Sequence, residues 1–557
     1  MLSAMPRCSF TSCFILLTLT TLSACERRGG CTGAGCGTLI DAAVSEPSTL
    51  LPPSSEDVTA NDIDEQLFLK LADVGMSTNT VGDEDFQPLL AQKWEWDGPL
   101  TLVFHLDPRA RWQDGTPVTA ADVEFTFNAY TDSMVASPFR PKLRRVASVT
   151  QRDSLTAVFR FHEKYPEMFY DAVYHMRVLP AHLLRSVPRD QWRTAPFGRQ
   201  PVGDGPYRFV RWQAAQSIEL VADTNFFLGK PGIRRLIWRF TPSLPVAVQQ
   251  VIADQADIRE QLVTPDNVAR AKAAPQLAVY TYRGNVYTYL CFNERTAGDT
   301  SKPNPIFADR EVRRALTMAV DRASLVASAL QDLGKVPPGP ISSLVGIWDP
   351  DIRQLPYDTA QANRILNERG WRDHDGDGIR DKNGKPLEFH ILVPTTSALR
   401  RQYARLLQEQ FHAIGVRADI DELEASVVSQ RTASGDFDTA LLSRSNDPSP
   451  GSGITQSWTR DGLGGSNFGR YYNPEFEHLV DRAISANSRD QARALWKTAL
   501  ETLNADGAGI FLYSLENVGA VHKRVENVQF RPDSWAALLR TWRIPPDRLI
   551  DRDRVER

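Results

Sequence analysis

The sequence predicts an α/β protein, because segments with the periodicity of strands and segments with the periodicity of helices follow one another along most of the chain. In the segment 100–106 every second residue is apolar, which indicates a half-buried strand. In the segment 309–320 the apolar residues instead recur at the spacing of one helix face: Val312, Ala315, Leu316, Ala319 and Val320.

Residues that begin and end helices support this prediction. A tight turn at 114–115 follows the first strand, and Thr119 can then cap a helix together with Asp122 three residues later. A later helix is predicted to begin after Asp358, as N-cap, and to end before Gly370.

Further strands and helices are predicted in the same way. A strand is expected from Gly37 onward, and the segments 207–212 and 217–221 are expected to form a hairpin. A helix over 397–415 is expected to lead into a short strand at 416–420.

Composition limits the function classes. The chain has 557 residues, 42% hydrophobic and 24% charged, which is the balance of a globular protein with a sizeable core. The formal net charge is −4 and no long basic tract occurs, so nucleic acid is not an expected partner. After residue 25 no apolar run approaches the roughly 18–20 residues that cross a bilayer.

The first residues have the pattern of a secretory signal peptide: Arg7, then an apolar stretch over 13–22, then small residues. The segment Leu22-Ser23-Ala24-Cys25 resembles a bacterial lipobox, so residues 1–24 are predicted to be removed and Cys25 to carry lipid. The alternative is an ordinary signal peptide that ends on a cysteine by chance.

The other cysteines do not form a disulfide framework. A glycine-rich tether is expected over 25–36, in which Cys31 and Cys36 either pair or are unrelated. Cys291 stands alone in the body of the chain, in an apolar strand, and is expected to be a buried thiol.

Segment 89–130 carries a resemblance to a known family. It contains Trp94, the strand 104–106, Trp112, the turn 114–115 and Asp122-Val123 at the start of a helix. In this order these residues resemble the bacterial extracellular solute-binding proteins of the peptide/nickel family, family 5. The resemblance runs from about residue 37 to about residue 544, through the segments 203–207, 307–315, 321–322, 357–371 and 467–474.

The resemblance implies an α/β, two-lobed, periplasmic-binding-protein-like (type II) fold with an extra subdomain in the first lobe. The first lobe is then expected over 37–70 and 201–284 with a return over 505–557, the extra subdomain over 71–200, and the second lobe over 285–504. The lobe crossings are expected between Val202 and Gly284, where Gly203 and Gly205 free the backbone, and near residues 500–515.

The resemblance also implies a function. The chain is expected to bind a small solute or oligopeptide between the lobes. It would then deliver this solute as a monomer to an ABC permease and its ATPase. The expected location is the periplasm or the outer face of the cell membrane, held by the lipid anchor.

Arg444 is the first candidate for the ligand site. In peptide-binding relatives an aspartate four residues before the proline of this segment clamps the ligand's α-amino group, whereas the position four before Pro448 is Arg444 here. A guanidinium favours a carboxylate or phosphate instead. The alternative is that the alignment slips or Arg444 lies outside the site, in which case Asp447 would be the anchor.

Other candidates lie in segments that line the cleft in relatives, although each of them taken alone is more often part of the core. They are Trp458, Asn467, Phe468, Tyr287 and Tyr289. Glu46, at the end of the strand that begins at Gly37, is a further and less favoured candidate.

An acidic loop resembles the first half of a calcium-binding loop. Asp373, Asp375 and Asp377 take positions 1, 3 and 5, and Asp381 takes position 9. Position 12, normally a bidentate glutamate, is Gly384, so a solvated turn is favoured over a structural calcium site. No other cofactor is expected.

The sequence contains none of the common catalytic motifs HExxH, GxSxG and P-loop. The chain is therefore expected not to be an enzyme. The alternatives are a ligand-sensing receptor without transport and an exported hydrolase.

Overall fold

The structure is a computed structural model that describes residues 35–55, 57–486 and 488–554. The predicted signal peptide, Cys25 and Cys31 lie outside the described residues. Cys36, which the sequence assigned to the tether, is instead buried as the first residue of the first strand.

The strands are numbered in chain order: β1 (Cys36–Ala43), β2 (Ala72–Asp73), β3 (Gln87–Pro88), β4 (Ala91–Trp96), β5 (Thr101–Leu106), β6 (Val146–Asp153), β7 (Thr156–Phe161), β8 (Tyr207–Gln213), β9 (Ser217–Ala222), β10 (Ile233–Phe240), β11 (Ile258–Arg259), β12 (Leu277–Tyr282), β13 (Val286–Phe292), β14 (Arg295–Thr296), β15 (Asp299–Pro303), β16 (Gly334–Lys335), β17 (Asp381–Lys382), β18 (Lys385–Pro386), β19 (Glu388–Pro394), β20 (Arg417–Leu423), β21 (Thr439–Ser445), β22 (Gly509–Leu515) and β23 (Asn517–His522).

The α-helices are α1 (Val58–Leu67), α2 (Ala120–Thr131), α3 (Met168–Tyr174), α4 (Ala181–Leu184), α5 (Leu244–Ile252), α6 (Pro265–Ala273), α7 (Arg310–Met318), α8 (Arg322–Ala329), α9 (Thr359–Glu368), α10 (Ala398–His412), α11 (Ala425–Ser434), α12 (Pro450–Trp458), α13 (Pro474–Ile484), α14 (Arg489–Ala505) and α15 (Asp551–Arg554). Short 3₁₀ helices cover Pro52–Ser54, Arg140–Leu143, Arg189–Thr194, Pro196–Gly198, Gln331–Leu333, Arg460–Gly462, Trp535–Thr541 and Pro546–Arg548. No helix in the described ranges is long and apolar enough to cross a membrane.

The predicted local elements are confirmed. Thr119 and Asp122 form a capping box at the start of α2, and the Asp358 carboxylate accepts a hydrogen bond from the Gln361 N–H at the start of α9. Hairpin β8–β9 pairs antiparallel as expected. Strand β5 differs in one respect: Val103 is buried as well as its alternate neighbours, so this strand is covered more fully than the sequence predicted.

Two large sheets form the two lobes. A seven-stranded sheet with the order β12-β23-β11-β1-β10-β9-β8 forms the first lobe, and a six-stranded sheet with the order β16-β22-β13-β21-β19-β20 forms the second. Both are buried on two faces: in β1, Leu39 and Ile40 enter different hydrophobic clusters, and in β13 Tyr289 and Leu290 do the same.

The extra subdomain belongs to the first lobe. A four-stranded antiparallel sheet with the order β4-β5-β7-β6 carries α2 on one side. Its buried residues, including Phe104 and Phe159, belong to the same hydrophobic cluster as Leu39 and Leu236 of the seven-stranded sheet. The subdomain and the first lobe therefore share one core.

Within the described residues the chain crosses between the lobes twice. The first crossing is the short segment 283–285 between β12 and β13, and the second is Glu516 between β22 and β23. Because β22 belongs to the second lobe, the return to the first lobe comes after it and not at residue 505 as the sequence suggested. Gly203 and Gly205 lie within the first lobe, where a Cβ atom would collide with the carbonyl oxygens of Leu67 and Gln66.

The two crossings touch at Gly284. A Cβ atom built on this residue would lie 1.7 Å from the Leu515 carbonyl oxygen. We expect Gly284→Ala to push the crossing strands apart and to lower the free energy of unfolding by about 1–3 kcal/mol. Thermal denaturation measures this, with Gly346→Ala as control, since a Cβ atom there meets nothing within 4 Å. Equal melting temperatures for the two variants would contradict the expectation.

Candidate functional site

Among the cavities that the described residues form between the lobes, two are large enough to hold a small solute. The first, of about 280 Å³, is lined by residues of the first lobe, by Asn285 of the crossing, and by Ser445 and Asp447 of the second lobe. The second, of about 360 Å³, lies between the segment 138–145 and the beginning of α12. Both have the size of a small-molecule site, and Lys142 and His175 line both.

An ion pair between Lys142 and Asp447 joins the lobes at the border of the two cavities. Lys142 lies in the 3₁₀ helix Arg140–Leu143, and Asp447 follows β21. Asp447 Oδ1 also accepts hydrogen bonds from the Ser449 N–H (3.0 Å) and the Ser452 hydroxyl (2.6 Å). Burial alone would raise the pKa of Asp447, but Lys142, and next His175, hold it below its usual value. This carboxylate is therefore charged, and both of its oxygens accept hydrogen bonds.

Glu167 makes a second contact between the lobes. Its Oε2 accepts a hydrogen bond from the Ser449 hydroxyl of the second lobe (2.6 Å), and its Oε1 accepts one from Thr80 (2.7 Å). Burial and the neighbouring Asp171 carboxylate raise the pKa of Glu167 to about 7. The closed arrangement of the lobes therefore favours the protonated form of this carboxyl group.

This shift predicts a pH dependence of stability. The pKa of Glu167 rises from 4.5 to about 7 in the folded protein, so its contribution is complete below about pH 4.5 and is lost as the pH rises to about 7. We expect Glu167→Gln to remove up to about 3 kcal/mol of this dependence. Melting temperatures between pH 4 and 8 test it, with the exposed Glu163→Gln as control. A parallel profile for wild type and Glu167→Gln would refute it.

The polar wall of the first cavity is a network of charged groups. Arg177 donates to Glu65 Oε2 (2.6 Å), and the Tyr174 hydroxyl donates to Asp533 Oδ2 (3.1 Å). Lys70 lies over the Tyr174 ring with its Nζ 4.1 Å from the ring centroid. The side chains that would recognise a polar ligand are thus contributed mainly by the first lobe.

Arg444 lies outside both cavities. It belongs to β21, its Nη2 donates to the Ser466 carbonyl oxygen (2.6 Å), and its guanidinium lies 4.7 Å above the Phe468 ring. Ser466 lines the second cavity, so Arg444 supports that wall from behind. Phe468 is half-buried beneath it.

The structure places four other predicted ligand residues in the core of the second lobe. Tyr287, Tyr289 and Trp458 are buried in one cluster, and the Trp458 Nε1–H donates to the Tyr287 hydroxyl (3.4 Å). Asn467 is buried, and its amide donates to the carbonyl oxygens of Thr459 (3.0 Å) and Tyr471 (2.9 Å). Their polar atoms bond within the protein, and none of the four lines the two cavities.

Glu46 holds the hairpin β8–β9. Its carboxylate accepts hydrogen bonds from the Trp212 Nε1–H (2.7 Å) and the Ala215 N–H (2.9 Å). It contributes to the first lobe and does not line either cavity.

In the acidic loop, one carboxylate oxygen each of Asp373, Asp375 and Asp377 lies within 4.8 Å of the others, and all three residues are exposed. Asp381 does not join them, because it accepts hydrogen bonds from the His374 N–H and ring (3.0 Å each). Asp373 accepts from the N–H groups of Gly376 and Gly378, as in a solvated turn.

We therefore expect 1 to 5 mM calcium to leave the melting temperature of the chelator-treated protein unchanged within about 1 °C, since mass action stabilises only a protein that binds the ion. Differential scanning fluorimetry measures this. A larger increase that disappears in Asp375→Asn would instead establish the calcium site.

Comparison with known proteins decides the family. The family model of bacterial extracellular solute-binding proteins, family 5 Middle, matches residues 85–466. The chain belongs to this family. The two-lobed α/β fold of a type II periplasmic binding protein, expected from the sequence, is confirmed by solved structures of the same architecture.

Several proteins of known name are similar to the chain over most of their length. The oligopeptide-binding protein AppA of Bacillus subtilis is 28% identical over 505 residues, 89% of each chain. Heme-binding protein A of Haemophilus influenzae is 24% identical over 447 residues, 75% of this chain and 77% of that protein.

Two solved structures show the same fold. AppA from Bacillus subtilis in complex with a nonapeptide has a TM-score of 0.77 at 25% identity and covers 92% of this chain and 100% of its own. NikZ from Campylobacter jejuni in complex with Ni(L-His) has a TM-score of 0.76 at 24% identity and covers 91% and 99%.

Three residues of this family 5 cleft were missed by the sequence: Lys70, Lys142 and Glu167. Lys142 contacts a residue 305 positions away, so only tertiary structure brings the two together. A signal was nevertheless present for Lys70, since a lysine between the apolar residues Leu69 and Leu71 is unusual in a buried segment.

Proposed function

We propose that this family 5 protein captures an oligopeptide or another solute of similar size in the two cavities between its lobes and delivers it to an ABC permease and its ATPase. The observation that carries the proposal is the position of the cavities: their walls come from both lobes and meet at the Lys142–Asp447 ion pair. A ligand there contacts both lobes, so binding and closure are linked.

A peptide ligand is the favoured class. AppA, which covers most of this chain, is an oligopeptide-binding protein whose solved structure contains a nonapeptide. The cavities also combine acidic and basic groups, which suits a zwitterionic chain with hydrogen-bonding amides.

We further propose that Cys25 carries the lipid that holds the protein at the outer face of the membrane. The support is the lipobox-like segment Leu22-Ser23-Ala24-Cys25 behind an apolar stretch. A single acyl chain binds membranes only weakly, so stable attachment requires more than one chain. Cys25→Ser should release the protein from membranes, and a variant that stays attached would exclude this anchor.

Native mass spectrometry of the purified protein, never exposed to denaturant, tests the ligand proposal. We expect a mass increment that disappears on denaturation and resolves into peptide masses. A protein that is empty and also fails to retain peptides, Ni(L-His) and heme from defined mixtures would contradict the solute-binding function. A retained increment that no denaturant removes would indicate covalent modification instead.

A further inference from the structure

Lys70 lines the first cavity, and its ammonium group has no hydrogen-bond partner among the described residues. Its residue surface is only 8% exposed, and it lies between α1 and β2. Its Nζ lies over the Tyr174 ring and forms no hydrogen bond or ion pair with the described part of the chain. An ammonium carries three N–H donors, and buried donors without acceptors are rare in native proteins.

The carboxylates around the cavity bond to other groups. Glu65 accepts from Arg177 at 2.6 Å, and Arg531 lies 4.0 Å from its other oxygen. Asp533 accepts from the Arg531 Nε–H (2.6 Å) and from the Tyr174 hydroxyl. Neither carboxylate forms an ion pair with Lys70, although both Glu65 and Asp533 act on it electrostatically.

The two other acidic residues at this cavity are not acceptors for Lys70 either. Asp447 pairs with Lys142 and bonds to Ser452. Asp62 accepts from the Trp535 Nε1–H (2.8 Å), and burial together with the Glu260 carboxylate raises the pKa of Asp62 well above its usual value. Among the charged side chains that line this cavity in the described part of the chain, Lys70 is therefore the one without a hydrogen bond or an ion pair.

We infer that Lys70 binds a carboxylate of the solute, so that the cleft selects ligands with a free carboxyl group such as the C-terminus of a peptide. The inference rests on the proposed solute-binding function. A carboxylate reaches Lys70 without breaking an existing ion pair, because Arg177 and Lys142 keep their own partners. A ligand ammonium, by contrast, reaches Asp447 only by displacing Lys142.

The proposed anion-binding residue is therefore Lys70 and not Arg444, which the sequence suggested. That guanidinium bonds to the Ser466 carbonyl oxygen and lies outside the cavities, whereas Lys70 lines the first one. The proposed carboxylate site is thus in the first lobe.

A competition experiment on the full protein tests the inference. The probe is a pool of alanine–valine peptides of three to nine residues. Each peptide is present in two forms, one with a free carboxyl terminus and one with a C-terminal amide. The amide form carries deuterated alanine, so that the two forms differ in mass. After gel filtration the bound peptides are released by acid and weighed. We expect the wild type to retain the carboxylate form about tenfold over the amide.

The variants Lys70→Met and Lys70→Gln should bring this ratio close to one while they still retain the amide form, which shows that they are folded. Lys164→Met, at an exposed position of the same lobe, should keep the wild-type ratio. A ratio near one in the wild type, or an unchanged ratio in the Lys70 variants, overturns the inference and leaves the proposed function intact. Retention of neither form by the wild type contradicts both.

Discussion

Asp447→Ala is expected to open the cleft and to abolish the retention of solute. The substitution removes the partner of Lys142 and leaves an ammonium that is only 23% exposed without a counter-charge. Breaking a buried ion pair from one side costs about 3–5 kcal/mol, and separation of the lobes, which returns Lys142 to water, relieves that cost. Small-angle X-ray scattering should show a larger radius of gyration, and native mass spectrometry should show an empty protein.

A matched control is available at the same interface. Arg144 and Asp461 also face each other across the lobes, at 3.7 Å, but their side chains are 56% and 63% exposed. Asp461→Ala should therefore change closure by less than about 1 kcal/mol. If Asp447→Ala and Asp461→Ala give the same scattering profile, the buried pair does not stabilise the closed form. The double variant Lys142→Met/Asp447→Leu, without buried charge, should close again.

Arg531→Met is expected to cause the largest loss of stability in the first lobe. The guanidinium is 1% exposed and forms ion pairs with Asp73 and Asp533. Burial acts to lower the pKa of Arg531, but the two carboxylates outweigh it and raise this pKa above its usual value. Its removal leaves Asp533, also 1% exposed, without a cation. We expect a decrease of about 3–5 kcal/mol in the free energy of unfolding.

Chemical denaturation followed by tryptophan fluorescence measures this loss. Arg543→Met is the control, because Arg543 is 59% exposed and pairs with Glu526 on the surface of the same C-terminal segment. Equal unfolding midpoints for Arg531→Met and Arg543→Met would show that the buried network does not hold this segment to the first lobe.

Local elements were predictable from the sequence because their signals are local. The capping box of Thr119 and Asp122 and the left-handed Gly370 after α9 depend on neighbouring residues only, and both are present in the structure. The order of the family-like segments along the chain also identified the family correctly. Val103 shows the limit of such local prediction. Its burial depends on which residues cover the second face of β5, and no residue near Val103 in the sequence specifies them.

The candidate site was predicted less well, because it is assembled from distant residues. Arg444 was suggested as an anion-binding residue because it lies four residues before Pro448. An alignment of sequences, however, does not say which face of β21 is turned toward the cavity. Tyr289 and Trp458 have the composition of a ligand wall and also of a core, and only packing separates the two. Asp447 was named from sequence; its partner Lys142 required the fold.

The position of β23 determines the order in which the lobes can fold. This strand lies between β11 and β12 in the seven-stranded sheet, although it follows them by more than two hundred residues. During synthesis the edges of β11 and β12 therefore remain open until residue 522 has emerged, and open edges promote aggregation. All strands of the second lobe's sheet are complete by Leu515. The lobe that begins the chain is thus the last to complete its sheet, and its open strand edges are the part of the nascent chain most prone to aggregation.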